Sequence, residues 1–127
     1  MLNILYVFLG GGLGSLLRYA ISLSSSYEHL SFLPPPRATL LTNMLSCIIL
    51  GFFIGMNQQA ILSDRSKLLF MTGFCGGFST FSTFSSEIVQ LLQSGEYVSA
   101  AAYLVLSVVS GIVLILVGAG LARQIFL

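Results

Sequence analysis

Charge is what this sequence most conspicuously lacks. Only 7% of its 127 residues are Asp, Glu, Lys or Arg, against about a quarter in a water-soluble domain. Too few charges are present to cover a surface facing water. The net charge is +1 and the five basic residues form no cluster, so the chain carries no nucleic-acid footprint. A disordered charged tail is excluded in the same way. Cysteine is nearly absent too. Cys47 and Cys75 both sit inside apolar runs, without metal-type spacing, and read as small buried residues. A single histidine, His29, reads as a solvated loop residue. No group of His, Asp, Glu and Cys converges in the sequence, so an enzyme is not expected.

What is present is apolar length. Mean hydropathy is +0.98 and 56% of residues are hydrophobic. Four stretches carry no charge or almost none: 2–23 apart from Arg18, 38–56, 68–86 and 97–122. About 20 residues cross the hydrocarbon core as a helix. The expected fold is therefore all-α, one membrane domain over 1–127 with helices at about 2–24, 37–58, 66–94 and 97–124. Between them lie a serine- and proline-rich loop ending in Pro34-Pro35-Pro36, a polar loop with Asp64, Arg65 and Lys67, and the turn Ser94-Gly95-Glu96. The first stretch is expected to stay in the protein, because it has no basic start and no small-residue cleavage pattern. Its glycine-rich start faintly resembles a dinucleotide loop, but no strand precedes it, and that reading fails.

Four spans would place both termini and the middle loop on one side. That side holds Arg65, Lys67 and Arg123, while the other holds Arg37, with Arg18 nearby. Three against two is a weak positive-inside bias. Insertion in both orientations is one consequence, and a single orientation set by other features is the other. Small residues four apart, Gly10/Gly14, Gly51/Gly55, Gly73/Gly77 and Ser107/Gly111, allow close helix approach. They favour a compact homodimer.

The third stretch carries the chemistry. Gly76-Gly77 at its middle predicts a break, since glycine costs about 1 kcal/mol against alanine in a helix. Broken helices at membrane depth are a recurrent way to hold ions; the plain alternative is an unbroken glycine-rich helix crossing. Phe78, Phe81 and Phe84 recur every three residues, beside the stripes Thr80, Thr83, Glu87 and Ser79, Ser82, Ser86. Phenylalanine edges carry partial positive charge and hydroxyls donate hydrogen bonds, so together they suit a small anion. Asn43 is a polar residue inside a span, either a pathway group or half of an interhelical hydrogen bond. Arg18 is either a charge that draws anions into a vestibule or an interface anchor.

The block Gly73-Phe74-Cys75-Gly76-Gly77-Phe78-Ser79-Thr80-Phe81-Ser82-Thr83-Phe84, with Asn43 in the second span and Arg18 ending the first, resembles the Fluc (CrcB) family of bacterial fluoride channels. The resemblance covers essentially the whole chain. It implies an antiparallel dual-topology homodimer in the bacterial inner membrane, exporting fluoride through two pores. It implies that Phe81 and Phe84 line the pore and that Asn43 donates its amide to fluoride. It also implies that main-chain carbonyls of Gly76 and Ser79 from both subunits hold a structural sodium ion. Thr80, Ser82, Thr83 and Glu87 would lie on or near the polar track, with Tyr103, Ser107 and Ser110 supplying the fourth helix's share. Ser79 stands where many relatives have threonine, a change a carbonyl ligand would not feel. Two other readings compete. A small multidrug-type proton-coupled exporter needs a carboxylate in the first helix, which carries Arg18 and no acid. A non-transporting scaffold subunit would have no need of the glycine break beside a phenylalanine and hydroxyl stripe.

Overall fold

The computed structural model describes residues 2–24 and 37–126, and the loop that holds His29 and the three prolines lies outside the described residues. Helix α1 spans Leu2–Ser24, α2 spans Arg37–Gln58 and α6 spans Tyr97–Phe126. These three are long and apolar enough to cross a membrane as single helices. The third apolar stretch is not one helix. It begins with α3, Asp64–Ser66, capped by the Ser63 hydroxyl, which accepts the Ser66 amide at 3.2 Å. A π-helical stretch, Lys67–Cys75, and α4, Gly76–Phe78, follow without interruption. Then the backbone is extended at Ser79 (φ −77°, ψ 158°) and Thr80 (φ −149°, ψ 110°), and α5, Phe81–Gln93, starts afresh.

The break is therefore real but displaced from Gly76-Gly77. Gly76 is ordinary right-handed helix (φ −65°, ψ −36°). The glycines have another task. A side chain on Gly77 would collide with the Gly11 carbonyl, one on Gly10 with the Leu69 carbonyl and one on Gly14 with the Phe74 carbonyl. They bring α1 into backbone contact with the first half of the broken segment. A second seam joins α2 to α6: Gly51 lies against Ile115, Gly55 against Ala119 and Ala122, and Gly118 against Ile48 and Phe52. The Gly10/Gly14, Gly51/Gly55 and Gly73/Gly77 pairs thus act within one subunit, and even Gly111 faces Cys47 of its own chain. The close approach the spacing predicts is made inside one subunit, so these pairs carry no argument about a second copy. Close approach through glycine replaces the hydrophobic effect, which lipid does not supply between apolar helices.

Solvation is inverted relative to a water-soluble fold. Leu, Ile and Val side chains along α1 and α6 point outward, for example Ile4 at 74% and Leu116 at 67% exposure, whereas Thr39, Thr42 and Ser46 are buried. Lipid accepts the first group, and the second finds hydrogen bonds inside. A small core of Leu40, Phe84 and Tyr103, flanked by Met44, Ile88 and Leu91, fixes α5 between α2 and α6. The break therefore hands the third segment from α1 to the α2–α6 pair.

Gly14→Val is expected to destabilise the detergent-solubilised protein by about 1–3 kcal/mol or more, because its Cβ would stand 2.8 Å from the Phe78 amide nitrogen. Gly12→Ala, with nothing within 4 Å of the added carbon, is expected to be neutral or stabilising. Thermal unfolding followed by size-exclusion recovery checks both, and equal tolerance of the two would contradict the seam.

Candidate functional site

A polar ladder on α2 runs Thr39, Thr42, Asn43 and Ser46, spaced so that all four share one helix face. Each rung meets the broken segment or steadies the ladder. Ser46 Oγ donates to the Cys75 carbonyl at 3.1 Å, the carbonyl that also accepts the Ser79 amide at 3.0 Å and the Ser79 hydroxyl at 2.9 Å. Asn43 spans the break. Its Oδ1 accepts the Thr80 amide at 2.8 Å and its Nδ2 donates to the Thr80 carbonyl at 3.3 Å. Thr42 Oγ1 donates to the Thr39 carbonyl at 3.1 Å. Thr39 Oγ1 donates to Glu87 Oε1 at 2.6 Å, and the second carboxylate oxygen accepts the Tyr103 hydroxyl at 2.9 Å.

The start of α5 is capped from within. Thr80 Oγ1 accepts the Thr83 amide at 3.3 Å and donates to Thr83 Oγ1 at 2.9 Å, a β-hydroxyl N-cap of the ordinary kind. The end of α4 is capped from α1. Arg18 Nε donates to the Gly77 carbonyl at 3.2 Å, and Ser15 Oγ reaches the same oxygen at 3.4 Å. A cation at a helix C-terminus complements the partial negative charge gathered there. Arg18 therefore does more than anchor at the interface.

Two cavities flank this junction. One, of about 310 Å³, is lined by Arg18, Ser15, Thr39, Thr42, Thr80 and Thr83 among others. The other, of about 260 Å³, is lined by Asn43, Ser79, Thr80, Phe81, Phe84 and Ser107, with Cys47 and Val108. Thr80 belongs to both walls. Ser107 Oγ is buried there without a hydrogen-bond partner among the described residues. Phe81 and Phe84 lie 6.0 Å apart between centroids at 44°, and Phe84 meets Tyr103 edge to face at 5.1 Å.

Of the residues singled out from sequence, Asn43, Thr80, Phe81, Phe84 and Ser107 come together around the second cavity, and Arg18 and Thr83 join Thr80 at the first. Glu87 and Tyr103 form a bonded pair beside them. Ser82 is exposed, its hydroxyl 3.4 Å from that of Thr80. Ser110 stands apart, its hydroxyl bonded to the Ser107 carbonyl at 3.4 Å. One reading needs correction. Phe78 does not share a face with Phe81 and Phe84, because the extended pair Ser79-Thr80 lies between: Phe78 is 1% exposed and Phe81 81%. The Thr80, Thr83, Glu87 stripe holds together: Thr80 bonds Thr83, and Glu87 bonds Thr39, which lines the first cavity with both threonines. Sequence reasoning missed Thr39, Thr42, Ser46 and Ser15. Hydroxyls at i, i+3 and i+7 around Asn43 were the available signal.

This geometry defines a helical membrane protein in which a broken segment, capped from neighbouring helices, places hydroxyl, amide and aromatic groups around small cavities at its break. The chain belongs to the CrcB family: residues 5–119 match the family described as CrcB-like protein, Camphor Resistance (CrcB). It is 41% identical over 127 residues to a protein of Flavobacterium psychrophilum named fluoride-specific ion channel FluC, covering 98% of this chain and all of that one. Proteins of the same name from Phocaeicola vulgatus (41% over 118 residues, 93% of this chain and 96% of the relative) and Serratia proteamaculans (42% over 115 residues, 90% and 88%) are similar along their length as well. The chain is a member of a channel family and not an enzyme.

Asn43→Ala removes both hydrogen bonds that pin Thr80. It is expected to cost about 1–3 kcal/mol, since the Thr80 amide loses its partner where water is scarce, whereas Ser46→Ala leaves the Cys75 carbonyl two other donors and is expected to be mild. Thermal unfolding of the two variants in one detergent makes the comparison. A larger loss for Ser46→Ala would contradict this account of the break.

Proposed function

We propose that this protein is a fluoride channel that lets the anion leave the cell across the bacterial inner membrane. The observation that carries the reading is the second cavity, which Asn43, Thr80 and Ser107 line together with Phe81 and Phe84, in a chain whose relatives are named fluoride-specific channels. Fluoride holds its water strongly, so a path for it needs many close donors. Hydroxyls and amides give them without a full positive charge that would hold the ion. Ring edges add weak positive potential and narrow the passage against larger anions. The Ser107 hydroxyl, buried without a partner among the described residues, is free to donate to an ion there. Asn43 already gives one amide hydrogen to Thr80; its second hydrogen is the one left for fluoride. Glu87 serves as acceptor for Thr39 and Tyr103, fixing their orientation, and Arg18 lends positive potential to the wider cavity. Ser82 lies at the edge of this track. Ser110 steadies the α6 backbone next to Ser107.

In this reading two copies insert in opposite orientations and pair, which suits the weak charge bias and gives the largely exposed Phe81 ring a covering surface. A structural sodium ion between them fits the donors at the break. In an unbroken helix the Thr80 amide would go to the Gly76 carbonyl, but it goes to Asn43. The Thr83 amide would go to the Ser79 carbonyl, but it goes to the Thr80 hydroxyl. Two carbonyls are thereby deprived of their helical donors on a segment where Gly76 is exposed and faces open space. Carbonyls of unwound helix are hard oxygen ligands suited to sodium. Such an ion would neutralise carbonyl dipoles at membrane depth and tie the two breaks together.

Phe81→Ile and Phe84→Ile keep bulk but remove the ring edge. Each is expected to lower fluoride efflux from proteoliposomes by about tenfold or more, more than one factor of RT ln 10 in barrier, while the protein still elutes as the parent does. Chloride efflux is expected to be negligible throughout. Two well-folded isoleucine variants conducting like the parent would end the ring-edge mechanism.

The sodium proposal has a separate test. Ser79→Ala is expected to be mild, because that side chain bonds the Cys75 carbonyl. Gly76→Val fits its own subunit, since nothing lies within 4 Å of the added carbon, yet it is expected to abolish pairing by filling the space a second copy needs. Replacing sodium with a large organic cation is expected to lower the melting temperature of the parent. A melting temperature indifferent to sodium would remove the ion from this account.

A further inference from the structure

Helix α5 has three faces. Phe84, Ile88 and Leu91 pack into the core. Phe81, Val89 and Leu92 are exposed and apolar, at 81%, 49% and 43%, as lipid requires. The third face is exposed and polar: Ser82, Ser86, Gln90 and Gln93 fall within about 80° of arc at 3.6 residues per turn. Hydrocarbon does not accept such a face, and the chain shows what serine does when lipid is near. Ser85, beside the apolar face, donates its proton back to the Phe81 carbonyl at 2.9 Å, the usual way a helix hides a hydroxyl. Ser86, the next residue, does not. Its hydroxyl accepts a long 3.4 Å bond from Gln90 Nε2, and among the described residues its own proton goes to no helix carbonyl. Ser82 likewise has only the 3.4 Å contact with Thr80.

This face continues the wider cavity. Thr83 is part of that cavity's wall, and Ser86 and Gln90 follow it by three and seven residues, one turn and two turns further along the same side. We infer that Ser86 and Gln90 carry a water-filled outer path along α5, from the break to the Ser94-Gly95 turn, over which the hydrated anion approaches or leaves. The path is about 20 Å long between Phe81 and Ser94 at 1.5 Å per residue. The inference names the ion by resting on the fluoride reading; the wetness of the face stands apart from it.

Single variants Ser86→Cys, Gln90→Cys and Leu92→Cys in proteoliposomes, treated with a charged, membrane-impermeant methanethiosulfonate, test it, with the parent's own Cys47 and Cys75 setting the background. Ser86→Cys and Gln90→Cys are expected to react about tenfold or more faster than Leu92→Cys, because the reagent meets the thiolate only in water. Fluoride efflux is expected to fall as they react. Equal, slow labelling of all three would overturn the proposal. So would ready oxidation of Ser86→Cys into a disulfide between copies without labelling, which would make the face a seam between subunits. Should Ser86→Cys not fold, Gln90→Cys against Leu92→Cys decides by the same comparison. A parent that released no fluoride while the labelling pattern held would sink the fluoride reading and leave the wetted face standing.

Discussion

A backbone that leaves its helix inside a membrane needs new partners for the amides and carbonyls it frees, and one side chain takes the central place here. Asn43 accepts the Thr80 amide, whose acceptor in an unbroken helix would be the Gly76 carbonyl, and donates to the Thr80 carbonyl. Unsatisfied groups at that depth would cost several kcal/mol each. Ser46 from α2, Arg18 from α1 and the Thr80 hydroxyl at the start of α5 hold further groups of the break. No single helix could hold the break open, so the arrangement of helices and the geometry of the site are one structure.

The same economy decides what remains for an ion. Partners for Cys75, Gly77 and Thr80 come from side chains, while the helical donors of Gly76 and Ser79 are drawn away. In the proposed reading the groups left for ions divide by sign: the Gly76 and Ser79 carbonyls, whose helical donors go elsewhere, would face a cation, and the Ser107 hydroxyl and the second Asn43 amide hydrogen an anion. That separation would follow from which hydrogen bonds Asn43 and Thr80 make.

Glycine gives the scaffold its stiffness by letting backbones touch. The α1 seam holds the first half of the broken segment and the α2–α6 seam holds the platform for the second. The break can then be sharp without the halves drifting, because each half is fixed to a different partner. Tyr103 joins the two requirements: it packs on Phe84 and donates to Glu87, so one side chain positions both an aromatic edge and the carboxylate that orients Thr39.

Composition and run length alone determined a helical membrane chain, because 7% charge cannot clothe a surface in water and about 20 apolar residues match the bilayer. The Gly73–Phe84 block was enough to resemble a family and to point at Asn43, Phe81 and Phe84. The location of the break was not legible. Gly76-Gly77 carries the local signal for it, yet those residues stay helical, and Ser79-Thr80 opens because Asn43, 37 residues away, captures Thr80. The glycine pairs show the same limit: spacing says that a helix has a flat face, not which helix meets it. Thr39, Thr42 and Ser46 became visible only when α2 was set against the break, since a buried hydroxyl has meaning only through the carbonyl or carboxylate it reaches. Solvent preference acts on each residue by itself and is written in the sequence, whereas hydrogen-bond partners are chosen between segments and are decided by the tertiary structure.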